Sequence, residues 1–346
     1  MNRRVRQWLG FLLMLAGLAL LCGPFLLGTR EEWVQKQAVE TFYQEKQAAQ
    51  SASQDKQPVT EETVPESTEP RDLFYEKAKT YNESLVKNGQ DGMRSRADVE
   101  SFALSALDFG YSENLIGTLE IPRMEIELGL YLGADGENMA KGAAVFGMTS
   151  LPLGGDSENT AIAGHRGWRG SPMFRDIQLL QMDDPIYITT PWDTLTYRVC
   201  EIRIVTPEDN SWCRIQPGRT LISLMTCHPY GQNYQRYIVF AELSPEDKPS
   251  EEAIRAENAA SYDPSPRQIT QIHADGTSDT VTVDPAAIRP DGSEYGAVLS
   301  NFVILAEDKM RIAAWIGAAV VALSGIWLTV QTLRDFKKGE KHHESE

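Results

Sequence analysis

The chain is poor in the residues that build metal centres. Its 346 residues include only four cysteines and five histidines. Cys227 and His228 are adjacent, but no second Cys or His lies near them at the C-x2-C or H-x3-H spacing that tetrahedral zinc sites use. Neither a structural metal nor a cofactor is expected. Basic charge is also scarce: 33 Lys and Arg face 49 Asp and Glu, for a net charge of -16. A phosphate-binding surface needs a Lys- and Arg-rich face, so nucleic acid is not a partner. No internal repeat is present. The part between the two long apolar runs has an odd number of cysteines, Cys200, Cys213 and Cys227. In an exported domain an odd count points to a free reactive thiol. Cys200 and Cys213 are either paired or two buried free thiols, and spacing does not choose between them.

Two segments are long and apolar, 8–28 and 312–333. Trp8 to Gly28 and Ile312 to Val330 carry no charge. Each is long enough to cross a hydrocarbon core of about 30 Å as a helix. Arg3, Arg4 and Arg6 precede the first, and Arg334, Lys337, Lys338 and Lys341 follow the second. The positive-inside rule places residues 1–7 and 334–346 in the cytoplasm and everything between the spans outside. The first segment also resembles a secretion signal. No small-x-small cleavage site follows it, so it is read as an uncleaved anchor. Leu21 before Cys22 is too large for a lipoprotein cleavage site.

Between the spans the texture changes in steps. Residues 29–71 are polar and acidic, with no bulky apolar residue after Tyr43, and read as a flexible stalk whose start, "VQKQAVETFYQEKQA", extends the first apolar helix for a few turns. Within 72–112, Phe74, Ala78, Tyr81 and Leu85 fall at helical spacing. Val99, Phe102, Ala103, Ala106 and Leu107 form a second, shorter pattern. This region is a pair of packing helices or a candidate lid. From 113 to 243 the runs are short and β-branched, such as "TAIAG", "PIYITT", "LTYRVCEIRIV", "RTLISLMT" and "RYIVFAEL". Gly, Pro and Asp clusters separate them, which predicts an all-β barrel or sandwich. Residues 244–311 read as a polar, proline-punctuated linker that includes weak strand-like pieces, "DTVTVD" and "NFVILAE", and room for a small ordered element.

The chemistry concentrates in "LMTCHPYGQNYQR". "TLISLMTC" predicts a strand ending at Cys227, and "RYIVFAEL" one beginning at Arg236. Turn formers Pro229, Gly231 and Asn233 lie between. Antiparallel pairing then sets Cys227 opposite Arg236, with Cβ atoms about 4.5–5.5 Å apart. A thiol attacking an amide carbonyl creates an oxyanion, and a fixed guanidinium stabilises it. The leaving amine needs a proton, and histidine is the usual donor. His273 has no context in the polar tail. His228 follows Cys227 directly, and neighbours on an extended chain point to opposite faces. His165, in "TAIAGHRGW", ends a predicted strand much as Cys227 does.

"TAIAGHRG" followed by "LMTCHPYGQNYQR" resembles the sortases, the cysteine transpeptidases of Gram-positive surfaces, and within them the pilus-assembling class C. The similarity runs over about Glu113 to Leu243 and includes "IGTLEIPRMEIELGLY" and "TSLPLGG". It implies a closed β-barrel of about eight strands with N-terminal helices, flanked by two transmembrane helices. It implies Cys227 as nucleophile, His165 as general acid and base, and Arg236 on the oxyanion, with Thr226 at the substrate. The implied reaction cleaves an LPXTG-like sorting signal through a thioacyl-enzyme and passes it to an amine. That amine is a pilin lysine in class C and a cell-wall precursor in housekeeping sortases. The implied partners are membrane-tethered surface proteins or pilins. A hydrolytic cysteine peptidase and a non-enzymatic two-anchor scaffold are the other readings. Class C members usually carry an Asp-Pro-aromatic lid triplet, and none precedes the barrel here.

Overall fold

A computed structural model describes residues 3–54, 70–90, 98–283 apart from six single positions, and 316–331 apart from two. Its strands are β1 (Leu115–Ile121), β2 (Ile126–Leu132), β3 (Ala143–Val145), β4 (Glu158–Ala163), β5 (Arg166–Trp168) and β6 (Ser171–Met173). They continue with β7 (Pro185–Thr189), β8 (Thr194–Val205), β9 (Thr220–His228), β10 (Gln235–Ser244), β11 (Arg267–Ile272) and β12 (Ser278–Val283). Eight of them run in the order β10-β9-β4-β3-β2-β1-β7-β8. β8 then pairs with β10, from Arg236↔Val205 to Ser244↔Thr196, and closes the sheet on itself. Closure leaves neither end of this set as a free edge. Of the barrel or sandwich that the short β-branched runs allow, the structure forms the closed eight-stranded barrel that the resemblance implied.

The alternation of those runs fills the interior. Ile116, Ile162, Ile186, Ile222, Leu224 and Val239 are all fully buried in one cluster. Burying each such side chain contributes about 1.5–3 kcal/mol. β5 and β6 stand apart as a two-stranded hairpin on the rim.

The helical parts differ from expectation. α1 runs from Arg3 to Gln54 without a break, so the first apolar helix does extend through "VQKQAVETFYQEKQA", and it is docked on the barrel rather than part of a free stalk. Gln35, Val39 and Phe42 are buried along one face of it. Phe42 packs with Leu115 and Tyr131 of the barrel. The Tyr43 hydroxyl donates to Glu127 at 2.8 Å, and Lys46 Nζ donates to the Thr190 carbonyl at 2.7 Å. A few apolar residues at helical spacing among many charges are enough to dock a helix. The rest of the expected stalk, 55–69, lies outside the described residues.

α2 (Pro70–Asn88) buries Phe74, Ala78 and Leu85, as its spacing predicts. Asn82 on the same face exchanges hydrogen bonds with the Leu151 backbone, 2.9 Å each way. The second expected helix is not continuous. After residues 98 and 100 the chain is irregular and forms only one 3-10 turn, Ala106–Phe109, with Leu107 exposed. Its backbone is laid against the barrel instead: a Cβ on Gly147 would fall 1.9 Å from the Ser101 carbonyl oxygen.

The expected linker after the barrel is also built into the fold. α3 (Gly136–Lys141) sits within the barrel sequence, and α4 (Glu251–Ser261) follows it. β11 then adds to β8 in parallel, and β12 pairs antiparallel with β11. Buried Arg123 ties α4 down. It is held 2.7 Å from Asp184 Oδ1 and donates to the Asn258 carbonyl and to Ser261 Oγ, each at 2.6 Å. Residues 284–311 lie outside the described residues. Among the described residues no helix is long and apolar enough to cross a membrane. Many side chains of 8–28, and part of 312–333, are outside that description.

Candidate active site

β10, β9 and β4 are consecutive in the barrel, and their ends carry the three residues singled out above. In the β9–β10 ladder Cys227 pairs with Arg236, and His228 with Gln235. β4 runs parallel to β9, with Ala163 opposite Met225 as the last registered pair. One residue further out, Gly164 N donates to the Met225 carbonyl at 3.1 Å. Thr226 Oγ1 donates to the Gly164 carbonyl at 2.7 Å. His165 and Cys227 thus leave neighbouring parallel strands at the same level. The register therefore brings the backbone of Cys227, His165 and Arg236 to one rim.

Thr226, expected at the substrate, is buried, and its hydroxyl ties β9 to the end of β4. Its position in the strand alternation turns it inward, opposite to its neighbour Cys227.

His165 is half-buried and lies flat on Trp168, with ring centroids 4.4 Å apart and planes at 10°. The hairpin makes this contact. Gly167 takes φ +85°, a left-handed turn that favours glycine, and β5 folds back on β6. Gly164 lets the strand end approach closely, since a Cβ there would lie 2.6 Å from the Phe174 ring. Burial lowers the pKa of His165, because it penalises the imidazolium. At neutral pH the ring is mostly a neutral acceptor.

His228 points elsewhere. Its Nδ1 lies 2.7 Å from Arg166 Nη1, and its ring packs near Tyr237. Burial first, and the Arg166 charge second, hold its pKa at about 3. A ring so reluctant to take a proton is a poor acid or base at neutral pH.

Arg236 is half-buried, and its Nη1 donates to the carbonyls of Asn233 at 2.8 Å and Gln235 at 2.9 Å. No carboxylate pairs with it among the described residues, so its charge is not neutralised by an ion pair. Cys200, Cys213 and Cys227 are all free thiols. Cys213 is buried, donates to the Asn210 carbonyl, and is pushed up to about 12 chiefly by burial. Cys200 is also raised, by burial. Of the three thiols, Cys227 alone sits with a histidine and an arginine at a strand-end rim.

Sequence reasoning missed two neighbours, Arg166 and Trp168. Both were visible in "GHRGW", directly after the histidine. Nothing in periodicity marks a rim residue whose partners come from other strands.

Residues 119–244 match the model of the sortase domain. Over 147 residues the chain is 29% identical to a sortase A of Bacillus anthracis, a match covering 42% of this chain and 66% of that one. A sortase A of Streptococcus agalactiae is 31% identical over 144 residues, 40% of this chain and 57% of that one. The chain spans less than two thirds of the length of the curated relatives it matches. Among solved structures, a sortase C-1 variant from S. pneumoniae aligns with a TM-score of 0.50 at 25% identity, covering 62% of this chain and 100% of that one.

Proposed function

The chain belongs to the sortase family, and from that premise we propose that it is a cysteine transpeptidase acting on LPXTG-like sorting signals. The observation that carries this is the rim itself: Cys227 opposite Arg236 in one ladder, with His165 leaving the next strand at the same level.

His165, a neutral acceptor, takes the Cys227 thiol proton as the sulfur attacks the carbonyl of the Thr-Gly bond in a sorting signal. Arg236, charged and without a carboxylate partner, stabilises the oxyanion. As the tetrahedral intermediate collapses, the C–N bond breaks and His165 delivers the proton to the leaving amine. A thioacyl-enzyme remains. An incoming amine attacks the thioester and gives its proton to His165. The C–S bond breaks and a new amide forms. Cys227 is released.

The acceptor we favour is a lysine side chain of a pilin, giving an isopeptide link. Helices docked on the barrel and the likeness to a C-type sortase support it. A cell-wall precursor amine is the competing acceptor, and water would make the protein a peptidase. Membrane anchoring at both ends, with the barrel outside, fits the same reading. Leu9, Leu12, Leu15, Ile316, Leu323 and Trp327 are exposed, and such a concentration of bare apolar side chains needs a cover. Gly325 also lies against Phe11, which brings the two segments side by side.

The test is intact-mass detection of the thioacyl adduct with a sorting-signal peptide. The parent forms it and Cys227→Ala does not; an undiminished adduct in that variant refutes the assignment. Adding a lysine-containing pilin peptide, or a wall-type peptide, shows which amine resolves the adduct. Hydrolysis alone, whatever amine is added, would favour the peptidase.

A further inference from the structure

We propose that Arg166 is the positioning residue that clamps the two halves of this site together. It follows His165 directly in the chain, yet its Nη1 donates to the Cys227 carbonyl at 3.2 Å. The same nitrogen lies 2.7 Å from His228 Nδ1. Nη2 donates to Gln178 Oε1, and Nε to the Arg175 carbonyl at 3.4 Å. The guanidinium carbon stands 5.8 Å from the centre of the buried Tyr237 ring. One planar fork therefore joins the strand end bearing the imidazole to the peptide bearing the thiol.

The surroundings of this guanidinium differ from those of the other buried arginine. Arg123 is buried against a carboxylate that it grips with Nε and Nη2. Arg166 is just as buried, but among the described residues its hydrogen-bond partners are all neutral: two carbonyls, an amide oxygen and an imidazole nitrogen. The nearby carboxylate of Asp176 is engaged by Arg175, with Nε–Oδ1 at 2.9 Å and Nη2–Oδ2 at 3.0 Å. Burying a cation without an ion pair is costly, and burial lowers its pKa to about 10. It remains charged at neutral pH.

Two consequences follow from the geometry. Fixing the Cys227 carbonyl fixes the peptide plane from which the thiol side chain leaves β9, and so its aim relative to His165. Occupying His228 Nδ1 removes the adjacent imidazole as a competing base. Positioning of reacting groups is steeply distance-dependent, and a displacement of about 1 Å costs on the order of a hundredfold in rate.

The rate readout rests on the transpeptidase proposal above, so a second readout is independent of it. The test uses the full chain in detergent micelles. Arg166→Lys keeps the charge but loses the planar fork. Its thioacylation kcat with a sorting-signal peptide is expected to fall about 10- to 100-fold, with KM within about twofold. Near-UV circular dichroism should be unchanged, and iodoacetamide alkylation of Cys227, followed by intact mass, should slow at least about fivefold. Gln178→Met removes one acceptor from the fork and should move kcat and alkylation the same way, by less. Unchanged kcat and alkylation in Arg166→Lys overturn the proposal, as does a loss that merely tracks the unfolded fraction. If Arg166→Lys does not fold, Gln178→Met decides, and unchanged values there overturn it. If the parent forms no thioacyl adduct, the transpeptidase assignment fails, while the alkylation comparison still decides on Arg166.

Discussion

His228 sits beside the nucleophile but should reveal itself in stability rather than in catalysis. Its imidazole titrates near 6.5 when the chain is unfolded and near 3 in the fold, held down by burial and then by Arg166. The folded protein therefore binds this proton less readily than the unfolded chain. Below pH 6.5 the unfolded state takes up more protons, so stability falls as pH falls, and the fall levels off near pH 3. At pH 5, about 1.5 pH units under the unfolded value, the loss comes to about 2 kcal/mol, at about 1.36 kcal/mol per unit. At pH 7.5 it is about zero. His228→Asn offers Arg166 an oxygen close to where Nδ1 lies, and it does not titrate. Urea unfolding of parent and variant at pH 7.5 and pH 5.0 isolates the term, because the other titrating groups cancel in the difference. The parent should lose about 2 kcal/mol more than the variant between the two pH values. Parallel losses would refute the neutral ring that burial, and secondarily the Arg166 charge, imposes.

Two further predictions concern the rim and the dock. Trp168→Ala uncovers the His165 ring, relieving the burial that disfavours its cation, so the His165 pKa should rise toward 6.5 in an NMR titration; an unmoved titration would show that the stack does not bury the ring. Asp184→Ala leaves the Arg123 guanidinium buried without its carboxylate, and removing one partner of a buried pair costs about 3–5 kcal/mol; a cost below about 1 kcal/mol in urea unfolding would show that the pair is not sealed from water.

Closure of the sheet into a barrel is set by long-range pairing and came only from the family resemblance. The strands were legible in the sequence because their signal is local: β-branched runs of strand length, separated by turn formers. The Cys227–Arg236 pair was legible for the same reason, since a hairpin's register follows from its own two strands. The level of His165 beside Cys227 was not, because β4 meets β9 in parallel across a long crossover that no local pattern specifies. The helical start of the stalk was legible but its docking was not, because composition averages over a segment, whereas docking depends on one face. Gln35, Val39 and Phe42 suffice, although charged residues surround them. In the tail after the barrel "DTVTVD" marked β12, but β11 and its pairing with β8 were not legible, since β11 is polar outward and buries essentially Ile269 alone. Arg166 is the sharpest case. An arginine after a histidine in a glycine-rich stretch reads as a solvated loop residue, and only the fold shows its fork closed on the Cys227 carbonyl, His228 and Gln178. What a one-dimensional pattern conveys is which face of an element is buried. It does not convey which buried polar group answers another, because each partner here is set by a different strand or turn. Chemistry that depends on a single cation held by neutral acceptors will be found by geometry first.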